Sequence, residues 1–428
     1  LIADNLDELK NALTQTGYLH RFFVDGSPTA MDAFVGGSWK TFVAGGLGAG
    51  GRSVYLLDVT DPSSFDANDV KWEFTHPELG YTFSKPIIAR LKTGAKPEDG
   101  GWYAIFGNGS DSQNDRAKLF IVNLEDRTDF TILTTDTSTP NGLMSINVVV
   151  DANRTVTTIY GGDLKGNIWR FDVSGNSWSN GTKLFTATDS SGNVQPITGG
   201  ISLGIHPKGL GILVYFGTGK YFENADKEYV AGTTKPKFDT FYGVLDNRED
   251  GNLTRSNLQV QTLTEPYTGI RVGSTNPVNY KTSTSSGKYG WYIDLAVGTT
   301  YEGERVVSTP KLFGSRMIVV SMVPAGGDVC VSGGSSWLYE FDALTGKNLD
   351  ERVLDTNGDG KIDSTDKISA GIKLDGIASE PTIIHAGEVD YKLMGSTSRD
   401  SSVISVAETP AGDSMGGGAG RMSWQQLQ

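Results

Sequence analysis

Gly162-Asp-Leu-Lys-Gly166-Asn-Ile-Trp169-Arg-Phe-Asp172 is the stretch on which the fold turns. Its second half, Ile168-Trp-Arg-Phe-Asp172, is a short apolar-aromatic run that ends in a carboxylate. Just before it, Ile159-Tyr-Gly-Gly162 is a run that ends in glycine. Two such runs separated by Asp and Gly predict paired strands rather than a helix. The aromatic kind returns as Val54-Tyr-Leu-Leu-Asp58, Leu119-Phe-Ile-Val-Asn123 and Leu338-Tyr-Glu-Phe-Asp342, and one residue longer as Phe241-Tyr-Gly-Val-Leu-Asp246. The glycine-ended kind returns as Ala104-Ile-Phe-Gly107 and Val214-Tyr-Phe-Gly217. A third element, Ser-x-Pro ahead of an apolar pair, occurs at Ser84-Lys-Pro86, Ser308-Thr-Pro310 and Ser379-Glu-Pro381.

The order Pro strand, Gly-ended strand, aromatic strand recurs irregularly at roughly 40–50 residues, the spacing of a β-propeller. One blade cannot bury both its faces, so neighbouring blades must stack. Closing the ring then hides the terminal edges. A β-sandwich leaves the three-element repeat unexplained. The irregular spacing predicts long insertions around 247–285 and 345–376. The expectation is an all-β propeller over 22–428, preceded by a helical lead-in over 1–21. Within the lead-in, residues 1–16 read as an amphipathic helix, with Asp4 or Asn5 as cap and Leu6, Leu9 and Leu13 on one face. The G-x-x-x-G-x-x-W spacing resembles the blade-docking motif of quinoprotein-type propellers, which casts Trp169 as a filler between blades.

Composition narrows the function. The chain of 428 residues has 55 glycines, which suits many short strands joined by tight turns. Its formal net charge of −13 argues against phosphate-backbone binding, and no nucleic acid partner is expected. The charge suits a secreted protein or a cation binder. Cys330 is the single cysteine, so neither an internal disulfide nor a cysteine-rich zinc site can form. His20, His76, His206 and His385 show no ligand spacing. No apolar run reaches about 18 residues, so no membrane span is expected. A start at Leu1 rather than Met reads as a processed form or a fragment.

The strongest chemical signal is Asp355-Thr-Asn357-Gly-Asp359-Gly360-Lys361-Ile-Asp363. Calcium takes about six to eight oxygens from a flexible loop. Asp355, Asn357 and Asp359 supply side-chain oxygens at positions 1, 3 and 5, and Gly360 permits the sharp turn at position 6. Lys361 offers its backbone carbonyl, and Asp363 binds directly or through water. Ile362 pins the loop to the fold. Asp366 stands at position 12, where the longer Glu is usual. The expected metal is Ca2+ rather than magnesium, which tolerates crowded protein oxygens poorly. An acidic surface turn is the bland alternative. A poorer loop, Asp151-Ala-Asn153-Arg-Thr155-Val-Thr157, lacks the third carboxylate and carries Arg154.

Two motifs mislead. Gly46-Leu-Gly48-Ala-Gly-Gly51 matches a dinucleotide fingerprint, but a strand follows it where a helix is required. Gly200-Ile-Ser202-Leu-Gly204 matches a nucleophile elbow, but Pro207-Lys-Gly-Leu-Gly forbids the helix that elbow needs. Neither supports catalysis.

With these residues in hand, the chain resembles the C-terminal domain of the PilY1/PilC family of type IV pilus tip-associated adhesins. The resemblance runs from about residue 22 to the C-terminus. It is carried by Phe23-Val-Asp-Gly-Ser-Pro28, Gly45-Gly-Leu-Gly-Ala-Gly-Gly51, Tyr81-Thr-Phe-Ser-Lys-Pro86, the Gly162–Asp172 stretch, Val214-Tyr-Phe-Gly-Thr-Gly-Lys-Tyr221, Gly334-Ser-Ser-Trp-Leu-Tyr-Glu-Phe-Asp342 and the final Ser423-Trp. It implies a modified seven-bladed propeller whose surface calcium loop has the ligands named above. It also implies a non-enzymatic role at the cell surface in pilus biogenesis, twitching motility, adhesion and virulence. Calcium occupancy would oppose pilus retraction. The implied partners are major or minor pilins and a host-cell receptor or surface. The chain contains no Arg-Gly-Asp, so an integrin-type contact through that tripeptide is unsupported. Two other functions compete. A quinoprotein-like dehydrogenase is suggested by the Trp169 motif, but the vicinal disulfide that often flanks its quinone cannot be formed by Cys330 alone, and the contiguous Gly-rich loop is unlike an axial site assembled from several blades. A carbohydrate-binding propeller would draw on the tryptophans and tyrosines.

Overall fold

The computed structural model describes residues 22–91, 100–174, 177–226, 238–298, 300, 302–324, 333–386, 389–398 and 402–410. The lead-in expected over 1–21, Cys330 and Ser423-Trp lie outside them. The chain divides into two compact units. One holds Leu1–Ile146, Val150–Thr158 and Asp172–Gly181; the other holds Asn147–Val149, Ile159–Phe171 and Thr182–Gln428.

The chain is all-β, and the only helical pieces among the described residues are single 3-10 turns. In the first unit, one four-stranded sheet runs β1 (Thr29–Val35), β2 (Ser38–Gly46), β3 (Val54–Asp58) and β4 (Val70–Phe74). A second runs β5 (Ile87–Arg90), β6 (Trp102–Gly107), β7 (Lys118–Asn123) and β8 (Phe130–Thr134). Both are antiparallel meanders. Alternation decides which face goes inward: in β3, Val54, Leu56 and Asp58 are buried while Tyr55 and Leu57 are half-buried. The inward residues build one core, in which the Phe106 and Phe120 rings stack with centroids 5.7 Å apart.

A third sheet comprises β9 (Leu143–Val150), β10 (Val156–Asp163), β11 (Asn167–Ser174), β12 (Ser177–Trp178) and β13 (Thr182–Thr186). Its residues are distributed over both units.

The second unit contains a ten-stranded sheet made of two four-stranded meanders. The first is β14 (Ser202–Ile205), β15 (Ile212–Gly217), β16 (Thr240–Asp246) and β19 (Gly290–Val297). The second is β20 (Lys311–Phe313), β21 (Arg316–Pro324), β22 (Gly334–Asp342) and β23 (Gly371–Asp375). The hairpin of β17 (Gln259–Tyr267) and β18 (Ile270–Gly273) joins them, β17 lying parallel to β19 and β18 antiparallel to β23. The last sheet has three strands, β24 (Thr382–Ala386), β25 (Val389–Gly395) and β26 (Val403–Glu408). The described residues thus supply six meanders toward the seven blades expected.

The three sequence elements are the first three strands of these meanders. Pro86, Pro310 and Pro381 stand immediately before β5, β20 and β24. A proline has no amide to donate, so it suits the residue that opens a strand. The glycine-ended runs are second strands, and the aromatic runs are third strands. Glycine is needed where other chain segments pass close. A Cβ on Gly107 would lie 2.3 Å from the Leu143 carbonyl oxygen, and one on Gly217 would lie 2.2 Å from Val306 Cβ.

Both predicted insertions begin just after a third strand: 247–285 lies between β16 and β19, whereas 345–376 begins after β22 and takes in the fourth strand, β23, at its end. The first is more ordered than an insertion implies, because it forms the β17–β18 hairpin. The second carries the candidate metal loop.

Candidate metal centre

The loop from Asp355 to Asp366 folds around the carboxylates at its two ends. Asp355 is buried, and its Oδ1 accepts the Gly358 amide at 2.6 Å while its Oδ2 accepts the Gly360 amide at 2.7 Å. Gly358 and Gly360 have φ of +77° and +80°, the left-handed region that favours glycine. Asn357 Oδ1 accepts the Asp359 amide at 3.0 Å, and Asp359 Oδ1 accepts the Lys361 amide at 2.9 Å. Asn357, Asp359, Lys361 and Asp363 are exposed along the outside of the loop.

Asp363 is fixed by Thr365, whose amide and hydroxyl both donate to Asp363 Oδ1 at 2.7 Å. The Thr365 amide and then its hydroxyl hold the Asp363 carboxyl below the usual carboxylate range. A carboxylate stabilised in its charged form is suited to a cation.

Asp366 has a role that the sequence did not reveal. It is 2% exposed, and its Oδ1 accepts the amide and hydroxyl of Thr356 at 2.7 and 3.0 Å. Its Oδ2 accepts the Asp363 amide at 2.9 Å. Its own carbonyl takes Arg352 Nε at 3.0 Å. At position 12 it braces the two ends of the loop from inside. Its bonds to Thr356 and Asp363, at the two ends of the loop, mark it as a brace, and position 12 was the only sequence signal pointing to it.

The bonding at Asp355 differs from that of the hairpin turns elsewhere in the chain. Asp163 Oδ1 accepts the amides of Lys165 and Asn167 at 2.9 and 2.8 Å. Asp189 Oδ1 accepts those of Ser191 and Asn193 at 2.8 and 2.9 Å. Asp151 Oδ1 accepts those of Asn153 and Thr155 at 2.8 and 2.9 Å. In each, one oxygen takes the amides two and four residues on, as in an Asx turn. The poorer cation candidate at Asp151 therefore folds like the Asp163 turn. Asp355 instead uses both oxygens for amides three and five residues on, which opens a wider curve.

All five expected ligands lie on this one loop. Their donors are oxygens only, which suits a hard cation such as calcium. An oxygen that accepts an amide proton keeps a second lone pair for a metal. Among the described residues, no three His, Cys, Asp or Glu side chains are gathered as a ready-made metal group. The loop amides orient the oxygens, but the three carboxylates stand apart.

The misleading motifs resolve as expected. Gly46 ends β2 and the chain turns into β3, while Ser202 opens β14. Trp169 is 3% exposed, and its indole N–H donates to Asp163 Oδ2 at 2.7 Å, which pins it within its own hairpin. Among the described residues no helix is long and apolar enough to cross a membrane.

Comparison with known proteins gives concordant matches. Residues 2–273 match the family model of the PilY1 beta-propeller domain. The chain is 34% identical to a type IV pilus biogenesis factor PilY1 homologue of Xylella fastidiosa, over 97% of this chain and 30% of that protein. It is 37% identical to type IV pilus biogenesis factor PilY1 of Pseudomonas aeruginosa, over 83% of this chain and 34% of that protein. The chain thus spans about a third of the length of these curated relatives. The crystal structure of the Pseudomonas aeruginosa PilY1 C-terminal domain aligns with a TM-score of 0.74 at 32% identity, covering 94% of this chain and 87% of that one.

Proposed function

The chain belongs to the PilY1 β-propeller family, and from that premise we propose that it is the calcium-binding C-terminal propeller of a type IV pilus biogenesis protein. In this proposal calcium occupancy of the Asp355–Asp363 loop sets the balance between pilus extension and retraction, and the domain supports attachment to a surface or host cell. It works at the cell surface with pilins as partners. It acts by binding and not by catalysis, in keeping with relatives that are named as biogenesis factors.

The observation that carries the metal assignment is the Asp355 carboxylate. It wraps the loop through Gly358 and Gly360 while Asp359 and Asp363 project outward from the same curve. When bound, calcium would be held by Asp355, Asn357, Asp359, the Lys361 carbonyl and Asp363, and it would supply positive charge among three carboxylates. Without it those carboxylates repel one another, and the loop loses order. Binding stabilises the ordered form by an amount set by affinity and concentration.

The test is calcium titration of the chelator-stripped protein by calorimetry, with Asp359→Ala in parallel. One-site binding that the substitution abolishes is expected. Absence of both heat and thermal stabilisation in the unsubstituted protein removes the calcium assignment. A strain carrying Asp359→Ala should lose the effect of calcium on pilus retraction.

A further inference from the structure

Each of the five other meanders has a fourth strand from later in the chain than its third, whereas among the described residues the last sheet has three strands and ends at β26. Its fourth place is taken by the segment that leads into the metal loop. Leu354 faces Glu408 in an antiparallel bridge. The Asp355 amide donates to the Ala407 carbonyl at 3.1 Å, and the Thr409 amide donates to the Val353 carbonyl at 3.0 Å. Val353 and Leu354 are fully buried, and they share one apolar cluster with Met394 of β25 and Val406 of β26.

Asp355 therefore serves two structures. Its backbone helps complete the edge of the last sheet, and its side chain shapes the metal loop. A buried ionic group stands behind the same edge. Alternation along β25 turns Asp390, Lys392 and Met394 inward. The Lys392 ammonium contacts the carboxylates of Glu340 and Glu408, and all three side chains are fully buried. Arg316 Nη1 donates to the Thr409 carbonyl at 2.6 Å, and its Nη2 lies 3.1 Å from Glu351 Oε1. One guanidinium thus ties both the segment entering the loop and the residue that follows β26. Buried charges of this kind tolerate little displacement, because a charge that loses its partner keeps its desolvation cost.

We infer that the metal loop is coupled to the outer edge of the β24–β26 sheet, so that ordering the loop secures that edge and loosening it releases the edge. This rests on the calcium assignment above and names the part of the fold that responds to it. A single bridge with two flanking hydrogen bonds is a small contact, which opens more easily than a full strand pair. Fixing Asp355 from the loop side adds to that contact. The coupling is reciprocal, so weakening β26 must lower the affinity of the loop for calcium.

Hydrogen exchange of the whole chain with chelator and with saturating calcium tests this, alongside calorimetry. At free calcium about 100 times the Kd, exchange through openings that expel the ion slows by up to about 100-fold. Protection is expected in residues 356–366 and also in 389–398 and 402–409, and Asp359→Asn should abolish both. Val406→Ala, which alters β26 and no ligand, should weaken calcium binding about three- to tenfold. Calcium binding that protects the loop while leaving β25 and β26 unchanged, or an unaltered affinity in Val406→Ala, overturns the coupling and leaves the calcium assignment standing. No heat and no protection anywhere overturns both.

Discussion

Asp355 Oδ2 accepts the Gly360 amide across five residues at 2.7 Å, and this bond closes the curve on which the outward oxygens sit. A Cβ added at Gly360 would meet nothing within 4 Å, so steric crowding is absent and only the φ of +80° opposes a side chain. Gly360→Ala is expected to cost about 1 kcal/mol in the ordered loop, which is roughly fivefold in calcium affinity. Calorimetric titration checks this, and the melting temperature in chelator should hardly change.

Asp163 is fully buried and accepts four donors, namely the amides of Lys165 and Asn167, the Asn167 side chain and the Trp169 indole. Asp163→Ala leaves buried donors without acceptors, at a cost of about 2–4 kcal/mol. Urea denaturation should show a lower midpoint, and the Trp169 emission should shift toward that of a more exposed indole.

Asp239 is buried, and burial is the main cause that pushes its carboxyl up to about 6. The Thr218 hydroxyl, which donates to Asp239 Oδ1 at 2.8 Å, and Arg305 oppose that rise, while Asp189 and Glu304 add to it. The folded protein therefore holds this proton more tightly than the unfolded chain, whose aspartates titrate near 4. The contribution to stability is complete below about pH 4 and is lost as pH rises through about 6. Asp239→Asn keeps an acceptor for Thr218. It should flatten the fall in stability between pH 4 and 7 by a few kcal/mol at most, as read from denaturant midpoints across that range.

Arg154 occupies the place in the Asp151 turn that Gly166 and Gly192 hold in the Asp163 and Asp189 turns. Its φ of +58° is left-handed, and its side chain is exposed. Arg154→Gly is expected to stabilise the folded state by about 0.5–1 kcal/mol, because relief of strain exceeds the added chain entropy. A modest rise in melting temperature would show it.

The strands that form meander interiors were legible because their burial is written as short apolar runs. Val54–Asp58 coincides with β3, and Leu119–Asn123, Phe241–Asp246 and Leu338–Asp342 lie within β7, β16 and β22. The prolines and glycines marked where first strands begin and second strands end. Fourth strands such as β8 and β13 left no comparable trace, because half-exposed residues alternate without a repeated motif. The β17–β18 hairpin was read as part of an insertion for the same reason, since Thr264, Glu265 and Tyr267 face solvent. The spacing of the loop residues could be read because the proposed ligand set is local. The bridge from Leu354 to Glu408 could not, because those residues are distant in sequence and only the fold brings them together. Lys392 looks like any surface lysine until alternation in β25 turns it inward.

The β17–β18 hairpin has a mechanical consequence for the second unit. It makes one continuous ladder of two meanders, so a force drawing them apart must break β17 from β19 or β18 from β23. The second seam is the shorter, with only Ile270 facing Ile372 and Arg271 facing Gly371. Arg271 also reaches across it. Its guanidinium contacts the Tyr339 hydroxyl, lies 2.5 Å from Glu304 Oε2 and sits over the Trp337 ring at 3.8 Å. The two backbone pairs alone would peel open one after the other. With Arg271 riveted to Tyr339 and Trp337 of β22, peeling must also tear out a buried charge, and the narrowest seam gains resistance to tension.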